Sequence, residues 1–153
     1  MDDIKQLREE TGLSFAQIKK ALEEAGGDKE KAREVLAQYS AASAEKKADR
    51  EITAGVVSSY VHNSKTIGVL LELGCETDFV AKNEEFVALA HDLAMHVCAM
   101  APTTVEGDDD TALVNQSFIK DPSMTVKEKL AGAIQKFGEN TRVTRFERYV
   151  IGG

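Results

Sequence analysis

The sequence is short of positive charge, of cysteine and of long apolar runs, and each shortage argues against a class of function. Lys and Arg number 19 against 26 Asp and Glu, for a net charge of −7. That balance repels phosphate backbones and argues against direct nucleic-acid binding, and no Lys/Arg cluster is interleaved with aromatics. The two cysteines, Cys75 and Cys98, form no CxxC pair. No apolar stretch approaches the ~20 residues that span a bilayer, and the opening MDDIKQLREE lacks the apolar core of a signal segment. The expectation is a soluble cytoplasmic protein with reduced thiols and no membrane partner.

Catalytic motifs are missing as well. Neither GxxxxGK[ST] nor GxGxxG occurs, and GGDKEK lacks both the P-loop spacing and the strand before it. HExxH is absent. His91 and His96 on one helix would stand roughly 140° apart around the axis, too far to share a metal readily, so one half-buried and one solvated histidine are expected. The acidic EGDDD run has no EF-hand spacing. Cys75, at a strand end, reads as a small buried hydrophobe rather than a nucleophile paired with His62. The sequence therefore points to a protein that is not an enzyme and that needs no metal or cofactor.

What is present is 42% apolar residues, enough for a core. Residues 1–39 read as a three-helix module. Ser14 and Gln17 form a capping box, with Leu13 and Ile18 placed as a staple. Phe15, Ile18, Ala21 and Leu22 share a face that ends at Gly26-Gly27, and Asp28 caps a third helix facing inward through Ala32, Val35, Leu36 and Tyr39. Residues 40–53 lack large apolar side chains until Ile52 and read as a linker whose Ala, Glu and Lys favour helix.

Residues 54–153 then read as an α+β core with a small, mainly antiparallel sheet. A hairpin turns near Asn63-Ser64, with Ile67, Val69, Leu71 and Leu73 alternating onto one face. Phe86, Leu89, Leu93, Val97 and Met100 define an amphipathic helix over 84–100 that stops at Pro102. TTVEGDDDTALVNQ reads as a loop. Thr125 and Glu128 form a second capping box for a helix with Val126, Leu130, Ile134 and Phe137 inward, ending at Gly138; a last strand follows.

Between hairpin and helix lies ETDFVAKNEEF. Thr77 can cap a short turn holding Asp78 and Phe79, and Asn83 can restart the long helix. Two readings of Phe79 stay open. It extends the Phe86 stripe into the core, or it stands out on a stiff turn and inserts into another protein.

CETDFVAKNEEF resembles the signature of the elongation factor Ts family. LREETG…KKALEEAGGDKEKA resembles that family's N-terminal ubiquitin-associated-like module, SYVHNSKTIGVLLEL its core hairpin, and FGENTRVTRFERY its Gly-Glu-Asn segment and final strand. The resemblance implies a guanine-nucleotide exchange factor for elongation factor Tu. It implies that Thr77, Asp78, Phe79 and Val80 approach the GTPase, with Asp78-Phe79 wedging near its nucleotide site, disturbing the magnesium ion and releasing GDP. Lys19, His62, Phe137 and Gly138 match further contact positions. Longer family members carry two core subdomains and a protruding helical segment, whereas this chain has room for one subdomain and a very short connection between Met100 and Phe118. Short forms act as homodimers, so a two-fold homodimer is expected. The competing reading is an adaptor that binds peptides or ubiquitin-like folds through the three-helix module and dimerises through its core.

Overall fold

The helical starts follow from their caps. In the computed structural model, which describes residues 2–153, α1 spans Asp2–Thr11, α2 Phe15–Glu24 and α3 Lys29–Lys47. Ser14 and Gln17 satisfy each other's orphan backbone groups at the start of α2, and Asp28 accepts from the Lys31 N–H at the start of α3. Leu7, Leu13, Ile18, Ala21, Ala32 and Leu36 form the module's small core. Phe15, expected inward, is instead 48% exposed on α2. The face is already filled by Ile18 and Ala21, with Leu22 packed at its edge.

The stretch expected as a linker divides in two. Its first half continues α3 through Lys47, so residue 39 falls within a helix, and α3 packs along the later helix α6, Val126–Phe137. Buried Ser40 hydrogen-bonds Gln135 on α6, and the Lys136 side chain, paired with Glu85, lies across Gly12. Only the residues after Lys47 lead as non-helical chain to the sheet.

That sheet is antiparallel throughout, in the order β1 (Ala54–Val61), β2 (Ile67–Cys75), β5 (Arg142–Val150). Val69, Leu71 and Leu73 face inward as their alternation predicts, against Phe86, Leu89, Leu93 and Val97 of α5, Glu84–Met100. Met100, expected on that inward stripe, is 43% exposed at the C-terminal end of α5, where Ala101 adopts a left-handed conformation. The fold class is the α+β arrangement expected.

The connection after α5 carries more order than a loop. Thr104 and Ala112 form an isolated bridge, and a 3-10 turn at Leu113–Asn115 buries Leu113 completely. A two-stranded ribbon follows, β3 (Ser117–Phe118) with β4 (Asp121–Thr125). These elements are too short to leave a periodic trace. His96 holds them in place. Fully buried, it meets Gln116 through Nε2 and accepts the Ile119 N–H at Nδ1. His91 is exposed, its ring edge-on to Tyr60.

Candidate functional site

Where β2 ends, the chain makes one helical turn before the long helix begins. Thr77 is extended and its hydroxyl accepts the Val80 N–H, starting the four-residue helix α4, Asp78–Ala81. Lys82 closes α4, and Asn83 restarts the chain as α5 by accepting the Glu85 N–H. Two caps this close together prevent α4 and α5 from merging. The break rotates Phe79 off the inward stripe that Phe86 continues.

The outcome for the two phenylalanines is clear. Phe86 is completely buried, its ring edge-on to Phe137 at 5.8 Å. Phe79 is 87% exposed, while its neighbours Val80 and Ala81 point into the core. An apolar ring held in water by a turn anchored from beneath is a surface feature of the kind that protein partners bury. Asp78 stands beside it, exposed, with no ion pair among the described residues.

The turn is tied to the far end of the chain. One oxygen of Glu139 accepts the Glu76 and Thr77 N–H groups at 3.1 and 3.0 Å, and the other accepts the Thr77 hydroxyl at 2.7 Å. In return, a Glu76 carboxylate oxygen accepts the Asn140 N–H at 2.6 Å. Asn140 donates its side-chain amide to the carbonyl of Arg50 at 2.8 Å, which draws the end of the linker into the cluster. Gly138, left-handed at φ 74°, ends α6 and turns the chain so that residues 139 and 140 cross toward the turn.

Cys75 lies beneath this cluster. Burial above all pushes its thiol above the ordinary range, with the Glu139 and Asp78 carboxylates adding to the effect; its Sγ donates to the Thr77 carbonyl. A thiol so placed is a packing group. Among the described residues no group of His, Cys, Asp and Glu side chains is arranged to hold a metal.

The structure brings together some of the residues singled out in the sequence and separates others. Glu139, directly after Gly138, ties the end of α6 to Thr77, while Phe137 itself packs against Phe86. Phe137 is half-buried, so less of its ring than of Phe79's is open to a partner. His62 is exposed at the hairpin tip, its Nδ1 3.1 Å from the Ser64 hydroxyl. The β1–β2 register pairs Ala54 with Cys75 and Val61 with Gly68, so His62 and Thr77 occupy opposite ends of the hairpin, about 25 Å apart at ~3.3 Å per residue. Lys19 is exposed on α2, in the N-terminal module. The residues that sequence reasoning missed are Glu139 and Glu76. Glu76 lies in CETDFVAKNEEF and Glu139 in the Gly-Glu-Asn step, but nothing local marks the contacts between them, which span more than sixty residues.

The sheet's outer face is a second surface. Val57, Val61, Leu70, Tyr149 and Ile151 are all exposed, and the register sets Gly68 between Val61 and Tyr149.

Comparison with known proteins identifies the family. Residues 5–110 match the family model described as elongation factor TS. The elongation factor Ts of Thermotoga petrophila is 43% identical over 190 aligned positions, covering 99% of this chain and 96% of that protein. That of Thermodesulfovibrio yellowstonii is 38% identical over 97% of this chain and 94% of its own length. For Carboxydothermus hydrogenoformans the figures are 39%, 97% and 87%. Each alignment is longer than the 153 residues available here, so these relatives carry segments without a counterpart in this chain. With its family model matched over most of its length, its relatives covered nearly end to end, and its α+β core intact around the capped turn, the chain belongs to the elongation factor Ts family of translation elongation factors.

Proposed function

We propose that the chain is a guanine-nucleotide exchange factor for the GTPase elongation factor Tu. Its Thr77–Val80 turn enters the GTPase beside the nucleotide site, disturbs the magnesium and phosphate contacts, and lets GDP leave. The observation that carries this reading is the exposure of Phe79, 87%, on a turn clamped at both ends. Burying such a side chain in a partner's pocket is worth about 1.5–3 kcal/mol. That gain is realised only with the GTPase conformation that opens the pocket. Factor and nucleotide then weaken each other's binding reciprocally, which is what exchange requires. Asp78 places a carboxylate next to the ring, where it opposes the phosphates and competes for the cation. Val80 anchors the turn from beneath.

Lys19, His62, Phe137 and Gly138 serve as further contacts. Their separation in the fold suits a partner large enough to reach both ends of the hairpin and the N-terminal module. The chain itself breaks no covalent bond, needs no cofactor and acts in the cytoplasm without nucleic acid or membrane. The exposed outer face of the sheet supports a two-fold homodimer in which two such faces pack together. Light scattering at micromolar concentration is expected to give twice the 16.7 kDa of one chain.

Release of labelled GDP from elongation factor Tu, with and without the protein, tests partner and activity together. Acceleration is expected. An unchanged release rate, with binding through α2 alone, would favour the adaptor reading instead.

A further inference from the structure

We propose that Glu139 is the positioning residue of the Thr77–Val80 turn: its carboxylate, not the turn's own helical bonds, holds Asp78 and Phe79 in their presenting geometry. This rests on the exchange reading above, and it adds a residue whose role is exerted on the turn from within the chain.

The need for such a residue follows from the length of α4. Four residues make a single helical turn, which fixes several backbone dihedrals for very few hydrogen bonds and does not persist unaided. Val80 and Ala81 anchor its C-terminal half in the core. Its N-terminal half has no such anchor. The β1–β2 ladder ends at Cys75, so the N–H groups of Glu76 and Thr77 have left the sheet before helical bonding begins.

Glu139 supplies what both N–H groups lack, accepting them on one oxygen at 3.1 and 3.0 Å. Its other oxygen takes the Thr77 hydroxyl proton. A hydroxyl has one proton, so donating it to Glu139 turns a lone pair toward the Val80 N–H, the bond that starts α4. The carboxylate charge strengthens all three contacts relative to a neutral acceptor. Glu76 returns the grip through its bond to the Asn140 N–H, which fixes Glu139 from its other side. Two segments more than sixty residues apart are thereby locked into one unit.

The test compares full-length wild type with Glu139→Gln, Glu139→Ala, Phe79→Ala and the Glu139→Ala/Phe79→Ala double variant. Two quantities are read: labelled-GDP release from elongation factor Tu, and amide hydrogen exchange at Glu76, Thr77 and Val80. Glu139→Ala is expected to speed exchange at those amides, to lower the global denaturation midpoint about as far as loss of the Thr77 cap does, and to slow GDP release about tenfold. Glu139→Gln keeps an acceptor for the N–H groups but loses the charge, and should fall between. In the Phe79→Ala background, Glu139→Ala should cost clearly less than it does in the wild type, because a positioning residue acts through the residues it positions and only Asp78 is then left to displace. Wild-type GDP release by both Glu139 variants, or fully additive losses in the double variant, overturns the proposal. Should Glu139→Ala fail to fold, Glu139→Gln combined with Phe79→Ala supplies the same cycle. If the wild-type protein leaves GDP on elongation factor Tu, the exchange reading fails, while unchanged amide protection in the variants would separately refute the hold on the turn.

Discussion

Phe79 on α4 and Phe86 on α5 are seven residues apart, two helical turns along what looks like one apolar stripe, yet they have opposite fates. Phe86 is sealed in the core and Phe79 stands in water. The residue type is the same, and the difference comes from what lies between. Thr77 and Asn83 cap two separate helices, and the non-helical step at Asn83 rotates one ring away from the other. Where a helix is made to stop can thus matter more for function than which residue it carries.

Four measurements sharpen or break that contrast. The largest effect belongs to Phe86→Ala, expected to cost about 3–5 kcal/mol of stability by emptying the core, with GDP release per folded molecule unchanged. A loss of unfolding free energy below about 1 kcal/mol in chemical denaturation would mean that the two rings differ less than their burial implies. Next comes Phe79→Ala, for which GDP release should fall about tenfold while stability stays within ~0.5 kcal/mol of wild type. Large destabilisation with normal exchange would return Phe79 to the core. Third are the caps. Thr77→Ala and Asn83→Ala should each cost about 1 kcal/mol, and Thr77→Ala the more of the two, because that hydroxyl also binds Glu139. Chemical denaturation of both variants, read beside their exchange rates, shows whether the break between the helices depends on both residues.

The smallest effect concerns His96, on the buried face of α5. Burial holds its imidazole below the ordinary value of 6.5, with the Gln116 contact partly opposing the shift. The unfolded chain therefore binds the extra proton first. This contribution to stability is complete above about pH 6.5 and declines as the pH falls below it. Thermal unfolding between about pH 7 and pH 5 should show that slope in the wild type and lose part of it in His96→Gln. An identical slope in both proteins would place the acid sensitivity elsewhere.

Much of this was legible in the sequence because the signals are local. Ser14 with Gln17 and Thr125 with Glu128 announced their helices, and Val69, Leu71 and Leu73 announced the strand at the centre of the sheet. Thr77 and Asn83 marked the two starts around the turn. Phe79 was ambiguous from periodicity alone, since a seven-residue spacing fits a continuous helix as well as an interrupted one. Phe15 and Met100 show the limit of the same argument: a position near the correct face of a helix is still exposed when its neighbours already fill the core or the helix ends there. The ribbon at 117–125 was missed because pairs this short carry no pattern. The Glu139 clamp was invisible for another reason, since it joins residues that only the folded chain brings within 3 Å of one another.

The nineteen-residue helix α3 has a further consequence. It is about 28 Å long at 1.5 Å per residue, beginning in the N-terminal module and ending against the core. Module and core are therefore joined by a strut where a tether would otherwise run. For a partner that touches both α2 and the Thr77–Val80 turn, whichever contact forms first delivers the other at an effective concentration set by geometry and no longer by chain length. The entropy of bringing the two contacts into register is then spent during folding, before the partner arrives.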